Sequence, residues 1–555
     1  MPLATPSAIR VPPRGGARRL EWLVIGLLTG LCLALPTHNS TPDAWYYAAC
    51  VRHGHELAQP HHLLYSVAGG LWLRLLPGTP DALAALKALN ALAYGGALLV
   101  LRDLLRRVGG PAAPVAGWLL VVGSSFGMLR FATENETYML PLLLSLLASR
   151  SWWRARATGA AGRWLVAGTW AAGAALLHQI HAGWWLGLLA GTAASTLPGA
   201  AGMARWRLVL LYGLPALLVP LAYAAALPGW GLPFTPAAYW HFVFRDLYAG
   251  QAGAAPSGHT LLLTSISLLR TFGQVHGSGL ALLRRWPWAV GGLALLSAGL
   301  LVLAGRLGWA ARRRAAPTVL VPAPTAQPEV ATPGLSAFQA DKQPADGRLF
   351  WRTHLLILGL QLACAIWAEG NAEFMVMVPA LLALLLVSRS IPDPAPGWVL
   401  GPALPWVGAS LLVWNLTFGL LPAYALRFSN PAPLLARLRR QPAAWWLLRD
   451  PNLVLNQLHY RTGQALGPAQ VLPAPVLLMR RLGQSPARFR AWLAGRRAAG
   501  QPVYTDALGG PQLLDRARLT QGSDDAQFAL LAGYHLVRVD SFPTSFGPVY
   551  LTEIR

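Results

Sequence analysis

Long apolar runs separated by short Arg-rich clusters occupy the first 420 residues of the chain. The first run covers about Leu20 to Pro36. Others cover 82–101, 112–129, 138–149, 164–177, 184–198, 208–227, 287–305, 350–368, 374–388 and 399–420. A run of about 20 apolar residues matches the hydrocarbon thickness of a bilayer as a helix. The pattern predicts an all-α polytopic membrane protein with about eleven transmembrane helices. Two further segments read differently. Leu63–Leu76 is apolar but short, and lies at the interface or re-enters. Residues 261–285 are amphipathic, carry Arg270, Arg284 and Arg285, and are expected along the outer surface.

Basic clusters set the orientation. "RDLLRRVGG" (102–110), "RSWWRARATGAAGR" (150–163), "AGMARWR" (201–207), "RRR" (312–314) and "SRS" (388–390) all fall at alternate ends of the runs. Cytoplasmic loops carry such excess Arg. The basic N-terminus, 1–19, is therefore cytoplasmic, and 20–310 forms an N-terminal transmembrane region. Residues 311–348 are a Pro-, Ala- and Thr-rich linker without helical period, expected to be cytoplasmic and disordered. Residues 349–420 return to the membrane. The remainder, 421–555, has Asp and Asn turns and the strand-like runs "VYTDAL" (503–508), "YHLVRVDSF" (534–542) and "PVYLTEI" (548–554). It predicts a small extracytoplasmic α/β domain. Its Asp506, Asp515 and Asp540 read as turn and surface residues.

Composition agrees. The chain is 54% hydrophobic and only 12% charged, about half the charged share of a soluble domain. The formal charge of +24 does not mark a nucleic-acid binder, because the Arg residues are dispersed between spans and form no patch or stripe. Cys32, Cys50 and Cys364 have no paired spacing and make no disulfide framework. Residues 10–36 have the charge and apolar run of a signal peptide, but no small-x-small site follows, so a retained first span is expected. The compartment is a bacterial cytoplasmic (inner) membrane.

The acids and histidines bordering the apolar runs fall at one face, the non-cytoplasmic one: Asp43, Glu56, His61, His62, Glu134, Glu136, His178, His181, Glu369 and Glu373. Acids near hydrocarbon cost about 2.5–3.5 kcal/mol each at mid-bilayer and are functional candidates by default. Bland readings stand beside that one. Asp43 after Pro42 reads as a helix cap for "AWYYAA". Glu134 and Glu136, two apart, would point to different helix faces, so at most one enters a shared site. His178 and His181, three apart, share a helix face and read as polar packing or a metal pair. Glu369 and Glu373, four apart, share a face unless Gly370 loosens it. "HGH" (53–55) and "HH" (61–62) lack the Cys or carboxylate partners of a zinc motif. The segment "PGWGLPFTPAAYWHFVFRDLY" (228–248) reads as an aromatic belt or as the rim of a lipid groove.

The order of a cytoplasmic basic end, a first span, an outer loop with an early Asp, then "HHLLY", "ATENETYMLPLLLSLL" (132–147), "ALLHQIHAGWW" (175–185) and "WAEGNAEFMVMVPALLALLL" (367–386) resembles GT-C membrane glycosyltransferases. It is most similar to the bacterial relatives of protein O-mannosyltransferases, over residues 20–420. The resemblance implies an enzyme that takes a sugar from a polyprenyl-phosphate carrier at the outer membrane face. It transfers the sugar, with inversion, to a protein, lipid or glycan. The resemblance also makes Asp43 the general base, with Glu136 as a second catalytic acid. The substrate and phosphate candidates are Arg52, His61, His62, Tyr65, Arg130, Glu134, Tyr138, His178, His181, Arg245, Glu369, Asn371 and Glu373. Where the family shows paired acids this chain reads "PDAW", which leaves a divalent cation (Mg or Mn) open. The alternative is a transporter or flippase of a lipid-linked or small polar solute. Transporters place charge near the midplane and show internal repeats, whereas no repeat stands out here. A scaffold presenting the C-terminal domain would not explain the gathered acids.

Overall fold

The computed structural model describes residues 14–78, 80–109, 114–195, 205–248, 255–274, 282–314, 347–389, 401–464, 470–481, 483, 485–510 and 523–555. The linker expected over 311–348 lies largely outside these residues, as does Asp515.

Helices α1 (Arg14–Ala34), α2 (Pro42–His53), α3 (Tyr65–Leu75), α4 (Ala82–Gly109), α5 (Val115–Gly123), α6 (Phe126–Ala132), α7 (Met139–Thr158), α8 (Ala161–Leu177) and α9 (Ala182–Ala193) build the first half. The second half contributes helices Arg205–Gly213, Leu218–Ala226, Gly258–Phe272, Pro287–Arg314, Gly347–Trp367, Val378–Arg389 and Leu404–Asn415. One continuous apolar core joins α1, α4, α5, α7, α8 and α9 with Gly347–Trp367 and Val378–Arg389. Close approach is set by small residues, as membrane helix packing requires. A Cβ on Gly168 would lie 2.1 Å from the Tyr212 carbonyl oxygen.

Among the described residues, five helices are long and apolar enough to cross a membrane. They span Ala82–Gly109, Arg205–Trp230, Pro287–Ala310, Gly347–Trp367 and Leu404–Ala425. A sixth is made if α5 and α6, bent by 65°, count as one span. The sequence expectation of about eleven rests partly on shorter runs. The helices formed there have 17 residues in α8, 12 in α9 and 12 in Val378–Arg389. Each is shorter than the roughly 20 residues a perpendicular span needs. The amphipathic segment expected over 261–285 is a helix that starts earlier, at Gly258, on a Ser257–Thr260 capping box and ends at Phe272. Leu261, Leu262 and Leu269 on it are exposed.

The C-terminal domain carries one five-stranded sheet. Its strands are β1 (Trp445–Leu448), β2 (Val471–Pro473), β3 (Val503–Thr505), β4 (Leu536–Thr544) and β5 (Gly547–Ile554), in the order β2-β1-β3-β5-β4. β1 runs parallel to β2 and β3, and β5 is antiparallel to β3 and β4. β3, β4 and β5 fall on the three strand-like runs of the sequence. β1 and β2, four and three residues long, are too short to show an alternation. Asp506 is not a plain turn residue: its Oδ1 accepts the Arg449 N–H at 2.7 Å, tying the end of β3 to the end of β1.

This domain sits on α2. Helix Pro451–Thr462 contributes Asn456, whose Nδ2 donates to the Pro42 carbonyl at 2.9 Å. Tyr460 donates to Asp81 Oδ2 at 2.6 Å and packs under the Arg52 guanidinium. The C-terminal domain therefore braces the helix that carries Asp43.

Candidate active site

Helix α2 starts where it does because Thr41 caps it. Thr41 Oγ1 accepts the Ala44 N–H at 3.1 Å, Pro42 presets the first turn, and Gly54 at φ 71° ends the helix. The cap is thus Thr41 and not Asp43. Asp43 lies in the first turn of α2.

The segment Thr133–Tyr138 links α6 to α7 without forming helix. Its backbone is held by one buried side chain. Asn90 Nδ2 donates to the Glu134 carbonyl at 2.7 Å and to the Glu136 carbonyl at 2.6 Å. Asn135 Nδ2 donates to the Ala44 carbonyl, and Tyr65 donates to Asn135 Oδ1 at 2.8 Å. Because the segment is a loop, the expectation that Glu134 and Glu136 diverge fails. Both turn to Thr41: Glu134 Oε2 accepts its N–H at 3.3 Å, and Glu136 Oε1 accepts its hydroxyl. Lys87 Nζ stands 3.8 Å from Glu134 Oε1 and also donates to the Thr37 carbonyl.

Glu373 arrives from a third segment. Helix Gly347–Trp367 ends, Glu369 takes φ 54° and Gly370 φ 71°, and a short 3-10 turn Ala372–Met375 follows. A Cβ on Gly370 would sit 2.5 Å from the Leu263 and Thr264 backbone. This break separates the two acids expected on one face. Glu369 is exposed, whereas Glu373 accepts the Tyr138 hydroxyl at 3.0 Å and lies 3.5 Å from Arg130. Asn371 Oδ1 accepts the Glu373 N–H at 3.1 Å and so shapes that turn.

Glu136 feels the charges of both Glu373 and Asp43. The Glu136 carboxyl is raised well above the usual carboxylate range by burial first, then by the Glu373 and Asp43 charges, against the Thr41 hydroxyl that opposes the shift. Glu134 is raised by burial, with Lys87 pulling the other way. Glu136 therefore binds its proton more tightly folded than unfolded, and it withdraws stability as pH rises above the ordinary Glu range. Glu136→Gln keeps an acceptor for Thr41 and removes this loss. Its thermal midpoint is expected to exceed that of the parent protein at pH 8 and to match it more closely at pH 5. Equal pH slopes in the two proteins would contradict the placement of Glu136.

Histidines wall the other side. α8 stops at Leu177, and His178 has extended backbone (φ −160°, ψ 120°), so His178 and His181 do not lie on a helix face. The rings of His178 and His62 are 4.3 Å apart edge-on, and Tyr138 lies 4.9 Å from His178. Burial, helped by His61, holds His62 down to about 3; burial alone holds His181 down to about 3. Burial first, then His62 and His181, holds His178 well below its ordinary value. All three are neutral at pH 7, so His62 cannot serve as a cation for a phosphate; it acts as a hydrogen-bonding group. His178 Nδ1 accepts the Ile180 N–H at 3.3 Å. The ring proton therefore sits on Nε2, a buried donor without a protein partner. His61 is tied away from the acids, through Nδ1 to Gln179 Oε1 at 3.0 Å.

Two expected site residues lie elsewhere. Arg52 is exposed against Tyr460, and Arg245 is exposed with its guanidinium 5.2 Å from the Trp230 ring centre. Both are exposed on helices, where a long side chain lies over a nearby aromatic face. Conversely, Thr41, Lys87, Asn90 and Asn135 escaped the sequence reading. The signal for two of them was present: Lys87 and Asn90 are the polar interruptions of the run 82–101. Among the described residues no three His, Cys, Asp or Glu groups are grouped so as to hold a metal ion.

Fold and site together define a membrane protein with an acid–histidine cluster where several of its helices break. No protein-family model and no curated protein matches the chain. Among solved structures it is similar to ArnT from Cupriavidus metallidurans bound to undecaprenyl phosphate, at 12% identity over 97% of this chain and 98% of that one (TM-score 0.47). It is also similar to the archaeal oligosaccharyltransferase AglB from Archaeoglobus fulgidus in complex with an inhibitory peptide and a dolichol-phosphate. There the identity is 12% over 96% of this chain and 74% of that one (TM-score 0.46).

Proposed function

We propose that the protein is an integral-membrane glycosyltransferase. It moves a sugar from a polyprenyl-phosphate donor to a protein, lipid or glycan at the outer face of the cytoplasmic membrane, with inversion. The observation that carries this reading is the meeting of Asp43, Glu136 and Glu373 from three distant segments, beside Arg130 and the unpartnered His178 donor.

The chemistry follows from the groups. An acceptor hydroxyl has a high pKa and attacks only as its proton leaves. Asp43, at the mouth of α2, takes that proton. Glu136, its carboxyl raised by burial and then by the Glu373 and Asp43 charges, serves as a donor toward sugar hydroxyls. The hydroxyl oxygen bonds to the anomeric carbon as the bond to phosphate breaks on the opposite face. The electron pair of that bond leaves on polyprenyl phosphate. Charge growing on the phosphate is met by Arg130 and by the His178 Nε2–H, fixed donors in a site of low dielectric. The apolar face of helix Gly258–Phe272 offers a surface for the carrier chain.

The test is turnover by the full-length protein in lipid. Undecaprenyl- and dolichyl-phosphate sugars, the lipid types bound in the similar structures, are the first donors. Release of free polyprenyl phosphate is the readout. Release is expected with at least one donor, and its response to EDTA tells whether a divalent cation takes part. Binding of none of these donors, together with uptake of a solute into proteoliposomes, would replace this reading with transport.

A further inference from the structure

The far ends of α4, α7 and α8 hold a second polar assembly. Asp103 Oδ2 receives Arg107 Nε at 3.0 Å, Arg150 Nε at 2.5 Å and an Arg154 terminal nitrogen at 3.5 Å. Arg163, at the start of α8, joins them by donating to the Arg154 carbonyl at 3.5 Å and to Thr158 Oγ1 at 3.3 Å. Three guanidinium groups thus share a single carboxylate, and the Arg163 guanidinium lies beside them with none among the described residues. Its neighbour is differently built. Arg102 and Arg106 both bind the buried Glu21, which leaves that carboxylate nothing to lend.

Positive charge at span ends needs only dispersion to set orientation. Here it converges. Arg150 and Arg154 are one turn apart on α7, a repulsive spacing, and Arg107 is brought to the same oxygen from α4. Three of these side chains remain about a third exposed, at 38%, 31% and 35% for Arg107, Arg150 and Arg154. The excess charge therefore faces outward, where a ligand can reach it.

Depth identifies the ligand. At 1.5 Å per residue, Arg154 lies about 24 Å along α7 from Tyr138 of the acid–histidine cluster. A hydrocarbon core is about 30 Å thick. That leaves Arg154 within about 6 Å of the far side of the core, a gap that a long Arg side chain spans to reach the headgroup layer, and Val166 on α8, three residues past Arg163, is 45% exposed.

We infer that the Arg107–Arg150–Arg154–Arg163 cluster is a binding site for a phosphate ester, seated there as the headgroup of an anionic phospholipid. Guanidinium forks pair with phosphate oxygens by charge-assisted bonds. Basic pockets between helices hold such headgroups. This site does not depend on the glycosyltransferase reading.

The experiment is thermal unfolding of the full-length protein in neutral detergent at constant ionic strength, with added phosphatidylglycerol, phosphatidylcholine or inorganic phosphate. Phosphatidylglycerol is expected to raise the midpoint by about 3 °C or more when well above its dissociation constant, and phosphatidylcholine is not. Arg150→Gln/Arg154→Gln should weaken the apparent affinity about tenfold or more. Because that variant also strips partners from Asp103, Asp103→Asn gives the opposite test: it removes the competing carboxylate and should enlarge the lipid shift. An equal shift from inorganic phosphate would keep the anion site and assign it to a soluble phosphate ester. Equal shifts from both lipids, or shifts the two variants leave unchanged, would overturn it.

Discussion

Replacing Asp43 by Asn is expected to abolish sugar transfer while leaving the protein inserted and abundant. Thr41, not Asp43, caps α2, so the helix keeps its start in the variant. Asn is nearly isosteric with Asp, and it removes one of the charges pressing on Glu136. Stability is therefore expected to hold or rise slightly. The loss falls on chemistry. A positioned base contributes about 10²–10⁴-fold, and Asn cannot take the proton of an acceptor hydroxyl. Release of polyprenyl phosphate should drop by that factor while donor binding survives, because Arg130 and His178 are untouched. Parent-level turnover in the Asn variant would remove Asp43 from the mechanism.

The gathering of acids from remote segments was legible in the sequence only as a coincidence of topology. Acids that interrupt or border apolar runs are rare because they are costly, and Asp43, Glu134, Glu136, Glu369 and Glu373 fall at one expected face. Which of them meet was not legible. Glu369 and Glu373 look equivalent at a spacing of four. A backbone break at Glu369 and Gly370 turns one outward and the other toward Tyr138. Glu134 and Glu136 look incompatible at a spacing of two, yet both reach Thr41 because no helix forms between Thr133 and Tyr138. Helical periodicity misleads in both places for one reason: the site is built from the interruptions of helices. The histidines show another limit. Their positions could be read, but their charge could not, since burial fixes it and burial belongs to the packed state. In the C-terminal domain β4 and β5 are long enough to show a pattern, while β1 and β2 are recognisable only through their pairing.

The interruption at Asn90 gives the second large expectation. Its Nδ2 donates to two carbonyls, those of Glu134 and Glu136, and comes within 3.2 Å of the Tyr65 hydroxyl. Two carbonyl acceptors fix the amide orientation, since a flipped Asn would present oxygen to oxygen. Asn90→Ala leaves both carbonyls buried without a donor. An unsatisfied buried group costs about 1–3 kcal/mol, so for two carbonyls a loss of about 2–6 kcal/mol is expected, enough to lower the thermal midpoint clearly. The functional loss should exceed what stability alone explains, because the loop carries Glu134 and Glu136 and is tied through Asn135 to α2 just after Asp43. Transfer measured well below the unfolding midpoint should therefore fall at least tenfold in Asn90→Ala. Asn90→Asp should fare worse, since a carboxylate would face the same two carbonyl oxygens. A variant with unchanged midpoint and unchanged transfer would show that the loop holds its shape without Asn90, and the pocket would then owe its geometry to Thr41 and Tyr65 alone.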